Sequence, residues 1–168
     1  MPLVKVSNKS IGIAAFAEGG VIRELSVGGG GFADEYSEED EGIYRQFRDY
    51  LDRKNFVFDL KLDLSILTPF QKIVFAELVK IPAGRTVTYR ELASRVKGPG
   101  HARAVARAIA ANPYPVVIPC HRVVGVNSLG GYSGGFEPVR DPVAGLIHKV
   151  RLLRHEGVNL PAFGAYPE

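Results

Sequence analysis

"TVTYRELASRVKGPGHARAVARAIAANP", Thr86 to Pro113, holds two short helices and the turn between them. Thr88 and Glu91 form a capping box, in which hydroxyl and carboxylate each take the other residue's amide, so a helix is predicted from Tyr89 to about Val96, where "KGPG" stops it. A second helix in "HARAVARAIAAN" ends at Asn112-Pro113. Its Val105, Ala108, Ile109 and Asn112 share one face at i, i+3, i+4, i+7, while Arg103 and Arg107 lie opposite among alanines. So slim a face fits a nucleic-acid groove, although alanine is also simply a good helix former with solvated arginines beside it. Two short helices on a Gly-Pro turn have the form of a helix-turn-helix.

Upstream, Thr68 as N-cap, Pro69 at the first helical position and Gln71 closing a capping box start another helix, with Phe70, Ile73, Val74, Leu78 and Ile81 as its buried stripe. Before it the pattern is different. "IGIAAFAEGGVIRELSVGGGG" reads as two strands around Glu18-Gly19-Gly20, closed by the glycines 28–31. Those glycines are not a phosphate loop, since no Lys-Ser or Lys-Thr follows them and no helix opens there. Ser37 begins an acidic turn, followed by Ile43, Phe47, Tyr50 and Leu51 at helical spacing. "FVFDLKLDL" alternates, placing Phe58, Leu60, Leu62 and Leu64 on one strand face. The expected class is α+β: a small N-terminal α/β unit, residues 1–65, with nothing chemical in it, and a mainly helical unit, residues 66–168.

The composition of the 168 residues, 46% hydrophobic and 23% charged, is ordinary for a globular protein. No secretory leader or membrane-length apolar run is visible, so an intracellular, cytoplasmic protein is expected, nuclear if its source is eukaryotic. Residues 1–68 carry 8 Lys+Arg against 12 Asp+Glu, and residues 69–168 carry 13 against 6. The net +3 charge therefore belongs to the second unit, as a polyanion-binding surface or a solvated basic one would require. The single cysteine excludes an internal disulfide and a Cys-pair zinc site, and neither a metal nor a cofactor is expected.

That cysteine, Cys120, lies in "YPVVIPCHRVVG", read as an apolar strand that delivers the thiol to its end. Most free cysteines in such runs are small buried hydrophobes. Here His121 and Arg122 add a base and a fixed positive charge, Pro119 stiffens the backbone, and "GGYSGG", Gly130 to Gly135, offers close backbone approach. On a strand His121 would point away from the sulfur, so coupling through a turn or a water is expected. Glu156, in "LLRHEGV", is a candidate to orient that histidine.

"IPCHRVV", with Asn112-Pro113 before it and "GGYSGG" and "LLRHEG" after it, resembles the O6-alkylguanine-DNA alkyltransferases, suicide DNA-repair proteins, over Thr68 to Leu160. The resemblance implies a ribonuclease-H-like first unit and a winged-helix-like helix-turn-helix. It makes Cys120 the alkyl acceptor, His121 its base through a water, Glu156 the end of the relay, and Tyr89 the residue that turns the nucleotide out and hydrogen-bonds the base. Arg103 would be the finger that replaces the extruded guanine. Ala102, Arg107 and Arg122 would contact DNA, Asn112 would brace the helix-turn-helix against the active turn, and Pro115, Tyr132, Ser133 and Gly134 would line the pocket with it. The implied partner is double-stranded DNA bearing O6-alkylguanine, with O4-alkylthymine as a further lesion, held in the minor groove by a monomer without sequence preference. The stretch Phe136–Arg151 is longer than the family's connection and is expected to reshape the pocket wall. An inert alkyltransferase-like protein would lack the cysteine, a thiol-sensing regulator would need an effector domain, and a Cys-His hydrolase would turn over repeatedly.

Overall fold

Gly19 and Gly20 both have positive φ, +57° and +74°, so the chain reverses there in a two-residue turn that matches strand twist. The turn joins β2 (Gly12–Glu18) to β3 (Val21–Gly28), and β1 (Leu3–Ser7), which the sequence reading missed, pairs antiparallel to β2. The computed structural model describes residues 3–132 and 141–160. Register puts Val4 opposite Ala15, Val6 opposite Ile13 and Leu25 opposite Ala15, all fully buried on one face. The helix α1 (Glu41–Leu51) covers that face with Ile43, Phe47, Tyr50 and Leu51.

The alternating stretch after α1 is a strand only at β4 (Lys61–Leu62), parallel to β3 on the far edge of the sheet, in the order β1-β2-β3-β4. Its side chains still alternate in burial from Phe56 to Leu62, but Leu64 is exposed because a 3-10 turn over Leu64–Ile66 has already turned the chain.

Both capping boxes form. Thr68 and Gln71 start α2 (Pro69–Leu78), and Thr88 and Glu91 start α3 (Tyr89–Val96). On α2 the buried stripe is Val74, Phe75 and Leu78; Ile73 is exposed instead of buried, since Phe75 occupies the inward position. After Gly98 (φ +128°) and a 3-10 turn over Pro99–His101, α4 (Ala102–Ala110) packs on α3 with Val105, Ala108 and Ile109 inward and Arg103 and Arg107 exposed.

The apolar run before the cysteine is not a strand. Ile118 N–H donates to the Tyr114 carbonyl, and Val116 takes φ +72°, a conformation that strains a β-branched residue by about 1–3 kcal/mol. Cys120–Arg122 is a 3-10 turn, and only then does β6 (Val123–Val124) pair in parallel with β5 (Val87–Thr88). The last helix, α5 (Pro142–His155), starts inside the stretch read as an unusual connection: Asp141 caps it by accepting the Val143 amide, and Pro142 sits at its first position. One hydrophobic core runs from Val4 through α1 and α2 to Leu152 of α5.

Candidate active site around Cys120

The turn that carries Cys120 is braced from below. Asn112, buried just past α4, donates through Nδ2 to the Ile118 carbonyl at 2.8 Å, while its Oδ1 accepts the Tyr114 amide at 3.0 Å. The end of α4 is thereby tied to the segment that presents the thiol. Asn112 acts under the turn and Pro115 is buried within it, so neither lines the cavity where both were expected. That cavity, of about 610 Å³, is lined by Cys120 with Tyr89 of α3, Ala106 and Ala110 of α4, Gly130 and Tyr132. Gly130 has φ +72°, and a Cβ there would lie 2.7 Å from the Tyr89 hydroxyl. Ser133 and Gly134 lie outside the described residues.

The 3-10 turn swings the His121 ring inward, where it is fully buried, and its Nε2 lies 2.8 Å from Glu156 Oε1. A carboxylate that only accepts fixes the proton on Nε2 and leaves Nδ1 as the basic nitrogen. Among the described residues, Nδ1 has no partner. Burial lowers the His121 pKa against the pull of Glu156, which keeps the ring neutral and able to accept a proton. Glu156 is itself ionised: burial raises its pKa, but His121 and Arg122 together outweigh that and hold it well below the usual carboxylate range.

Arg122 corrects the expectation of a DNA contact. It is 5% exposed, and its guanidinium donates to Glu156 from Nε (2.8 Å) and Nη2 (2.9 Å) and to the Ile81 carbonyl from Nη1 (2.6 Å). Withdrawing Arg122 from so complete an ion pair to reach a phosphate would leave Glu156 buried and unpaired, at a cost of several kcal/mol. Its charge instead balances Glu156.

Two side chains that sequence reasoning passed over meet here. Lys149 of α5 is fully buried and donates to the carbonyls of Val123 (2.6 Å) and Gly131 (3.1 Å), with its ammonium 5.9 Å from the Tyr89 ring centre. Burial pushes the Cys120 thiol up, opposed by a hydrogen bond from Asn112 and by the Lys149 charge. A lone lysine on a helix gives no sequence signal of this. Tyr50 of α1, read as core, donates its hydroxyl to Glu156 Oε1 at 2.9 Å. Ala102 is half-buried and Arg103 and Arg107 are exposed on α4. No group of three or more potential metal-binding side chains occurs among the described residues, and no described helix is long and apolar enough to cross a membrane.

A family model described as "6-O-methylguanine DNA methyltransferase, DNA binding domain" matches residues 69–158. The methylated-DNA-protein-cysteine methyltransferase of Salmonella typhimurium is 40% identical over 117 residues, 69% of this chain and 63% of that protein. A probable methylated-DNA-protein-cysteine methyltransferase of Acanthamoeba polyphaga mimivirus is 41% identical over 97 residues, 57% of this chain and 62% of its own. The chain thus spans under two thirds of these relatives' length. Among solved structures, Mycobacterium tuberculosis OGT in complex with DNA superposes with a TM-score of 0.70 at 30% identity, covering 90% of both chains. An O6-methylguanine-DNA methyltransferase from the hyperthermophilic archaeon Pyrococcus kodakaraensis gives 0.68 at 26% identity, over 93% of this chain and 98% of that one.

Proposed function

Because the chain belongs to the 6-O-methylguanine DNA methyltransferase family, we propose that it repairs O6-alkylguanine in duplex DNA by moving the alkyl group irreversibly to its own Cys120. The observation that carries this reading is the buried, hydrogen-bonded set His121, Glu156 and Arg122 directly after Cys120, which itself lines a cavity able to hold a base.

In this reading the Cys120 proton passes through a water to His121 Nδ1, and Glu156 steadies the imidazolium that forms. The sulfur attacks the alkyl carbon in line, so the S–C bond forms as the C–O6 bond breaks and its electron pair stays with the purine. Tyr89 supplies a hydrogen bond to that leaving base; burial, and then the nearby Cys120, raise its pKa and keep the donor protonated at neutral pH. Lys149 supports the thiolate. The thioether formed is chemically stable, so one molecule repairs one lesion.

An O6-alkyl group is out of reach inside a stacked duplex, and flipping the nucleotide out costs a few kcal/mol. Exposed Arg103, on the alanine face of α4, is suited to fill the gap from the minor groove, with Ala102 and Arg107 against the backbone. The same reading divides the chain at 65/66 and takes α3 and α4, flanked by the β5-β6 pair, as a winged-helix-like helix-turn-helix. The parallel β4 after α1 supports a ribonuclease-H-like first unit. One copy acts on one duplex, without sequence preference.

Incubation with an oligonucleotide containing O6-methylguanine should restore guanine and add one methyl mass to the peptide bearing Cys120. Repeated turnover by substoichiometric protein, or an unchanged mass, would overturn the proposal.

A further inference from the structure

Glu156 Oε1 receives three donors: His121 Nε2–H (2.8 Å), Arg122 Nη2–H (2.9 Å) and the Tyr50 hydroxyl (2.9 Å). Among the described residues, Oε2 receives only Arg122 Nε–H (2.8 Å). Two of the residues belong to the cysteine turn, but Tyr50 comes from α1, 106 residues before Glu156 in sequence. Its position is held twice by neighbouring residues at the end of α5, since His155 Nε2 donates to the Tyr50 carbonyl at 2.8 Å and Glu156 takes its hydroxyl. The ring is fully buried against Phe56, Phe58 and His155. Phenylalanine would fill that space equally well, so only the hydroxyl's bond to Glu156 distinguishes tyrosine here.

We propose that Tyr50 is a positioning residue for alkyl transfer, through which the N-terminal unit completes the relay by orienting Glu156 and limiting how strongly its Oε1 draws on His121. The inference rests on the relay proposed above. A donor on an anionic oxygen lowers that oxygen's basicity and fixes the carboxylate plane. Without the hydroxyl, Oε1 holds the His121 proton more tightly and the carboxylate gains freedom to rotate about its Arg122 contacts. The charged and titratable groups around His121 and Glu156 are Lys149 and His155 from α5, Arg122 and Cys120 from the turn, Tyr132 from the pocket loop and Tyr50 itself. Removing the hydroxyl leaves all the others in place.

The test compares the wild-type chain with Tyr50→Phe and with 3-fluorotyrosine incorporated at position 50, a more acidic and therefore stronger donor of nearly the same shape. Single-turnover transfer from free O6-benzylguanine is followed across pH, and His121 is titrated by NMR in histidine-labelled protein. Tyr50→Phe should slow transfer about tenfold, as for loss of a hydrogen bond to a charged group, and move the His121 midpoint and the acid limb of the rate upward. The fluorinated chain should move both downward. Wild-type rates and midpoints in both variants would overturn the role of Tyr50, as would shifts of the same sign. If Tyr50→Phe does not fold, the fluorinated chain decides by the direction of its shift. A wild-type chain that transfers nothing overturns the alkyltransferase reading, whereas the His121 titration still decides the Tyr50 contact.

Discussion

Lys149 is a cation in a site with no access to water, kept there by two carbonyls and the face of Tyr89. Burial lowers its pKa to about 8, with the Cys120 charge opposing that fall. Its positive charge is therefore present below about pH 8 and lost above, while the thiol needs a nearby cation to ionise. Transfer to a free-base substrate should decline as pH rises through about 8, and Lys149→Met should be slower at neutral pH and lack that alkaline decline. A pH–rate profile with the same alkaline limb in both chains would remove the lysine from the chemistry. Arg122 is the converse case: a residue read as a surface cation proves to be an internal one, because Glu156 and the Ile81 carbonyl together satisfy it better than a phosphate at the surface could.

At the scale of the element, the start of α3 is where capping and chemistry coincide. Thr88 Oγ1 accepts the Glu91 amide and Glu91 returns to the Thr88 amide, and the next residue along is Tyr89 in the cavity wall. Thr88→Ala should cost about 1 kcal/mol in denaturant unfolding. It should also slow alkyl transfer, since the first turn that aims Tyr89 loosens. A stability loss with an unaltered transfer rate would show that Tyr89 is held by Gly130 and Lys149 alone. On α4, Arg103→Ala should impair repair of duplex DNA far more than reaction with free O6-benzylguanine, because a free base needs no extrusion. Equal losses on both substrates would exclude the wedge. The capping box made α3 legible and the 3.6-residue periodicity made α4 legible, both local signals that tertiary packing here reinforced. The strand expected before Cys120 failed for the opposite reason: two prolines and a left-handed Val116 fold an apolar run into turns, and period alone cannot separate a strand from a buried irregular segment.

Across the whole molecule, the basic residues after position 68 do not all face solvent alike. Arg103 and Arg107 face outward on α4, Arg122 and Lys149 are internal, and Arg151 and Arg154 line a second cavity of about 510 Å³ together with Lys9 and Arg53 of the first unit. Net charge along the chain thus overstates what is available to a polyanion. The core is likewise shared, with Val4, Tyr50 and Leu152 in one cluster. Thermal unfolding followed by calorimetry should therefore show a single cooperative transition, and alkylated and free protein should each unfold as one unit. Two separated transitions would mean that the first unit folds independently of the site it touches.

The one-dimensional chain by itself determined where α2 and α3 begin, the periodicity of α1 and α4 and which hairpin glycines turn, because caps, periodicity and turns act over a few residues, whereas the link from the Pro-Cys-His-Arg run to Glu156 came from the family resemblance. Only the tertiary structure decided that Arg122 and Lys149 lie inside, that Asn112 braces the turn from beneath, and that Tyr50 reaches Glu156. Those outcomes depend on which distant groups share a desolvated space, and the solvation of a side chain is a property of its neighbours in three dimensions.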